Sequence, residues 1–100
     1  MVKKVFHMYS DPGHGWLKVE VSRVRKLGII DKITPYSYAS KDMRWLFLEE
    51  DCDAPLFIRT YEEKHGVKLK IHDHYVNRES RIRSYPSIPH ASYWEWADKR

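Results

Sequence analysis

Three groups of residues in this chain have types and spacings that can do chemistry. The first is Ser10-Asp11-Pro12-Gly13-His14-Gly15-Trp16. An imidazole titrates near neutral pH and can move a proton, and glycine on either side lets backbone amides close on a ligand or form a nest for an anion. Asp11, Pro12 and Gly13 supply the turn chemistry that would hold it. The second is Arg81-Ile82-Arg83-Ser84-Tyr85. If extended, it puts Arg81, Arg83 and Tyr85 on one face, with guanidinium forks for phosphate oxygens and a ring for a base. The third is His72-Asp73-His74, whose imidazoles share a face on a strand. They could ligate a metal if His7, His14 or an acid supplied a third ligand, although the commoner role of such a pair is a solvated polar face.

Each group also has a structural reading. The loop can be a hairpin turn whose His14 and Trp16 only pack, and the arginines can keep an edge soluble. Glu49-Glu50-Asp51-Cys52-Asp53 looks like a metal set, but it fits a helix start better, with Asp51 or Asp53 as cap and Pro55 in the first turn. For an enzyme, His14 would be the general acid or base, with Asp11 or His7 beside it. No Ser-His-Asp spacing, phosphate-binding Walker loop, HExxH or CxxC accompanies them, and Ser10 beside Asp11 suits local backbone bonding. No cofactor motif is present, and none is expected.

The elements that must position these groups read β-β-α-β-β-α-β. Residues 2–9 and 16–19 alternate as strands around the loop. Residues 20–27 form a short helix with Val21, Val24 and Leu27 inward and Gly28 as its stop. Thr34-Pro35-Tyr36-Ser37-Tyr38-Ala39 reads as a strand, a turn follows at Ser40-Lys41-Asp42, and Arg44-Trp45-Leu46-Phe47-Leu48 is a strand covered on both faces. Ala54, Phe57, Ile58 and Tyr61 recur at helical spacing, closed by Gly66. Residues 67–76 alternate, with Val67, Leu69 and Ile71 toward the helices and Lys68, Lys70, His72 and His74 away from them. The expected fold is α+β: a mostly antiparallel sheet of about five strands with two helices on one face. Residues 1–86 would be one domain and 87–100 a tail with Trp94 and Trp96.

One hundred residues suffice for one core. Composition, 42% hydrophobic and 32% charged, excludes a disordered chain. The net charge of +4 permits a nucleic-acid, nucleotide or acidic-protein partner. Cys52 is the single cysteine, so an internal disulfide is excluded and a reducing compartment fits. Without a membrane-length apolar run or a leading signal, the expected location is cytoplasmic, with no membrane partner.

The strings Tyr9-Ser10-Asp11-Pro12-Gly13-His14-Gly15-Trp16, Leu27-Gly28-Ile29, Tyr36-Ser37-Tyr38, Leu48-Glu49-Glu50-Asp51-Cys52-Asp53 and Ile82-Arg83-Ser84-Tyr85 resemble short proteins of tailed phages and bacterial mobile elements. The resemblance covers roughly residues 5–86. It implies a host-cell cytoplasm and a small accessory protein that binds a host factor; no activity is established for the group, so it assigns no catalytic residues. Three functions therefore stand at this level. The first is a binding module for a phosphate-bearing ligand, nucleotide or nucleic acid, using Ser10, Asp11, Gly13, His14, Gly15, Trp16, Arg81, Arg83 and Tyr85. The others are a protein-binding inhibitor or adaptor acting through the tail or the acidic corner, and a small hydrolase using His14.

Overall fold

The computed structural model describes residues 4–86. The aromatic tail, with Trp94 and Trp96, lies outside the described residues. In chain order the elements are β1 (Val5–Ser10), β2 (Gly15–Glu20), α1 (Val21–Lys26), a 3-10 turn at Ile30–Lys32, β3 (Tyr38–Ala39), β4 (Trp45–Glu49), α2 (Asp53–His65), β5 (Lys70–Tyr75) and a second 3-10 turn at Arg81–Ser84. This is the expected α+β succession. Among the described residues no helix is long and apolar enough to cross a membrane.

The sheet has five strands in the order β3-β4-β2-β1-β5. Short hairpin connections make β1–β2 and β3–β4 antiparallel, β4 pairs antiparallel with β2 across the intervening α1 and β3, and β5 lies parallel to β1. The parallel pair follows from α2. A helix carries the chain back to the end of the sheet where β4 began, so β5 runs in the direction of β4 and β1.

Alternation divides the side chains between two faces. Phe6, Leu17, Val19, Leu46 and Leu48 meet Val24 of α1 and Ala54, Phe57 and Tyr61 of α2 in the main core. Phe6 meets Phe57 and Tyr61 edge-on at 5.3 and 5.4 Å, a favoured aromatic geometry. On the other face a smaller cluster buries Trp16, Phe47 and Ile82, with Tyr9, Tyr38, Trp45 and Tyr85 around it. β4 is thus covered on both faces, as its continuous apolar run implied. Gly66 ends α2 in the left-handed region at φ 64°, where a side chain would be strained.

Four local expectations change. The basic segment is not extended: residues 81–84 form a 3-10 turn, with Ile82 seated on the second face and the Ser80 hydroxyl accepting from the Ile82 amide. An apolar residue flanked by arginines reaches a sheet face more readily from a turn than from an edge strand. The strand expected at 34–39 shrinks to Tyr38–Ala39, because Thr34 and Ser37 bend inward to bond with Asp53. Neither Asp51 nor Asp53 caps α2; Cys52 occupies that position without a side-chain bond, and Asp53 is the first helical residue. The amides of Asp51 and Cys52 donate instead to Glu49 Oε2 at 2.8 and 3.0 Å. Finally, β5 begins at Lys70, and Ile71 remains 37% exposed.

Candidate functional site

The loop between β1 and β2 is organised by Asp11, whose side chain is 1% exposed. Its Oδ1 accepts from the amides of Gly13 at 2.9 Å and His14 at 3.0 Å, and from Arg83 Nη2 at 2.9 Å. Its Oδ2 accepts from the Ser80 amide at 2.9 Å and from Arg83 Nε at 2.7 Å. The two-pronged Arg83 contact, helped by these amides and opposed by burial, holds the carboxyl far below the usual carboxylate range. Asp11 in turn pushes the Arg83 guanidinium up. That guanidinium lies 5.3 Å from the Trp16 ring centre.

This geometry bears on phosphate chemistry in the loop. The amides of Gly13 and His14 are aimed inward at the chain's own carboxylate, so the nest already holds an anion. Arg83 neutralises Asp11 before it meets anything else. Ser10 Oγ donates to Asp73 Oδ1 on β5 at 2.7 Å, and Gly15 is buried against Glu50 and Ser10.

A Cβ on Gly13 would stand 2.8 Å from Arg83 Nη2. Replacing Gly13 with alanine must therefore push aside a guanidinium that is anchored at both prongs. The expected cost is about 1 kcal/mol, typical of mild overpacking. In an Arg83→Ala background the same change costs much less, which a double-mutant cycle of denaturant melts checks.

His14 and Arg83 line one hollow of about 350 Å³ with Trp16, Tyr36, Tyr38, Glu49, Asp51 and Cys52. Arg81 and His7 lie elsewhere. Because Arg83 is already paired, Glu49 and Asp51 give this hollow an acidic balance unsuited to a phosphate. His14 Nδ1 is 3.7 Å from Glu49 Oε1, beyond hydrogen-bond reach. Partial desolvation first, then the charge and hydrogen bond of Glu49 and the charges of Asp53 and Asp51, push the exposed Cys52 thiol up, away from nucleophilic thiolate chemistry.

The basic and aromatic residues gather on the sheet face away from the helices. Strand register places His7, Lys18, Phe47 and Tyr38 in one row across it, and Tyr9, Trp16 and Glu49 in the next. Along β5, His72 stands opposite His7 and His74 opposite Tyr9. Two depressions, of about 200 and 290 Å³, share Tyr9 and Lys18. The first adds Lys4, His7, Glu20 and Trp45 and reaches round to Arg23, which lies over the Phe6 and Tyr61 rings on the helix side; the second adds Phe47, Arg81 and Tyr85. Lys18 Nζ is 4.4 Å from the Trp45 ring centre, and Tyr9 stacks on His74 at 4.8 Å.

Of the residues singled out from sequence, Arg81 and Tyr85 border this face, Arg83 and Asp11 brace the segment that carries them, and His14 faces the acidic hollow. Lys18, Trp45 and Tyr9 went unnoticed as site residues. Alternation put Tyr9 with His7 on one face, but only strand pairing brings Lys18 and Trp45 beside them. Among the described residues two side-chain sets could hold a cation: His7 with His72 and His74, and His14 with Glu49 and Glu50. No protein-family model, curated protein or solved structure matches the chain.

Proposed function

We propose that this protein binds a phosphate-bearing ligand, single-stranded nucleic acid, across the helix-free face of its sheet. The observation that carries the reading is the pair of depressions that share Tyr9 and Lys18 and are lined by both rings and cations, with Glu20 the one acid among them. Bases stack on aromatic rings whatever their sequence, while cations follow the backbone. In this reading Trp45, Tyr9 and Tyr85 offer rings, and Lys18, Arg81 and Lys70 offer charge to phosphates. The net charge of +4 favours the encounter. Asp11 and Arg83 serve by position, since they fix the segment that bears Arg81 and Tyr85.

The test is fluorescence anisotropy with a labelled single-stranded oligonucleotide of mixed sequence over a range of salt. Lys18→Ala and Arg81→Ala should each weaken binding and reduce the salt slope by roughly one released counterion. Tyr9→Ala should lower affinity about tenfold with the slope unchanged, as loss of one stacked base does. Absence of binding at low salt, or an Arg81→Ala variant with wild-type affinity and slope, would overturn the reading.

A further inference from the structure

The three histidines at the outer edge of the same face form a second feature, and one of them, His7, also borders the first depression. His7 sits on β1, and His72 and His74 sit on β5, the edge strand of the sheet. Parallel pairing sets His7 directly opposite His72, and the two-residue period returns His74 to the same face. One ring nitrogen from each lies within 4.8 Å of the other two. His7 Nδ1 and His74 Nε2 are 2.8 Å apart, and the rings of His72 and His74 stack at 4.6 Å.

We propose that His7, His72 and His74 form a binding site for a divalent transition-metal ion, with zinc the best fit. Three neutral imidazoles suit zinc, cobalt, nickel or copper and not calcium or magnesium, which take oxygen ligands. With zinc–nitrogen bonds of about 2.0–2.1 Å, tetrahedral ligand nitrogens stand about 3.3 Å apart. The 2.8 Å His7–His74 contact is a hydrogen bond that the metal replaces, so those nitrogens separate by about half an ångström as the proton leaves. His72 closes in by side-chain rotation at an exposed position. The backbone beneath is a paired parallel ladder, tied further by Ser10 Oγ donating to Asp73 Oδ1. The Tyr9 ring, parallel to His74 within 15°, fixes the plane of that ligand. Three protein ligands leave the fourth position to an exchangeable water, as in catalytic rather than structural zinc sites.

The experiment titrates Co²⁺ into the tag-free full chain without nucleic acid, follows the visible absorption of tetrahedral cobalt, and then competes with Zn²⁺. The expected result is saturation at one equivalent and displacement by zinc. His7→Gln, His72→Gln and His74→Gln should each weaken binding ~10-fold or more, while His14→Gln and Cys52→Ser bind as wild type. His7 and His72 are exposed and His74 is half-buried, and an unchanged melting temperature in each metal-free variant confirms an intact fold. The proposal is overturned if cobalt does not saturate at one equivalent, if His72→Gln retains wild-type affinity, or if His14→Gln abolishes binding. Because nucleic acid is absent, neither result alters the oligonucleotide test.

Discussion

Replacing Asp11 with asparagine should destabilise the domain by about 3 kcal/mol, the scale of breaking a buried ion pair by removing one partner. For a domain of this size that is a fall in melting temperature of roughly 12–24 °C. The reason lies in the donors. Both Asp11 oxygens receive N–H groups alone, from Gly13, His14, Ser80 and Arg83. An amide NH₂ in place of one oxygen faces donors that cannot accept, and the guanidinium loses its counter-charge. The damage should also have a location. Segment 80–86 should open first, so amide exchange at Ile82 and Tyr85 rises toward solvent rates before the β2 and β4 amides are affected. A loss below 1 kcal/mol in urea melts, or uniform exchange across the sheet, would show that the staple does not hold this segment.

The same carboxylate sets an acid dependence. The unfolded chain takes up the Asp11 proton near pH 4, the folded chain only at much lower pH, so protonation favours unfolding. The contribution is complete above about pH 5 and shrinks as pH falls through 4 and below. Asp11→Asn has no such term. Wild type and variant should therefore differ most near neutrality and converge in acid.

What was legible in the sequence was local. The period-2 run in β1, the period-3.6 apolar positions of α2 and Gly66 as its stop are properties of neighbouring residues, and the fold class follows from their order. Alternation likewise put His72 and His74 on the face away from the helices. Long-range pairing was not legible. Nothing in Asp11-Pro12-Gly13 announces a partner 72 residues away, so the aspartate reads as a turn former when it is also the anchor of the C-terminal segment. The arginines illustrate the same limit. Arg81 and Arg83 are two residues apart, and an extended reading makes them equivalent; one 3-10 turn sends Arg83 to Asp11 and Trp16 and leaves Arg81 beside Tyr9 and Lys18. The acids 49–53 misled similarly, because their roles depend on what they meet across the fold. Glu49 closes its own turn, and Asp53 reaches back to residues 34 and 37.

Asp53 offers the contrasting prediction. It is 1% exposed, and its described partners are Thr34, through amide and hydroxyl, and the buried Ser37 hydroxyl. Ser37 Oγ also accepts from the Glu49 amide at 3.0 Å, so this carboxylate ties the 34–37 bend to the end of β4 and the start of α2. Asp53→Ala leaves the Thr34 amide and the Ser37 hydroxyl without that acceptor and opens a small void; the expected loss is about 3 kcal/mol. Asp53→Asn should recover most of it, with a residual loss of about 1 kcal/mol. Here two of the donors are hydroxyls, which can turn and accept from the new NH₂, while the remaining oxygen keeps the Thr34 amide. Asparagine should thus rescue position 53 and fail at position 11, although both carboxylates are buried. Urea melts of the three variants at pH 7 decide it. Equal losses for the two asparagine variants would mean that charge, and not the kind of donor facing each oxygen, sets what these carboxylates contribute.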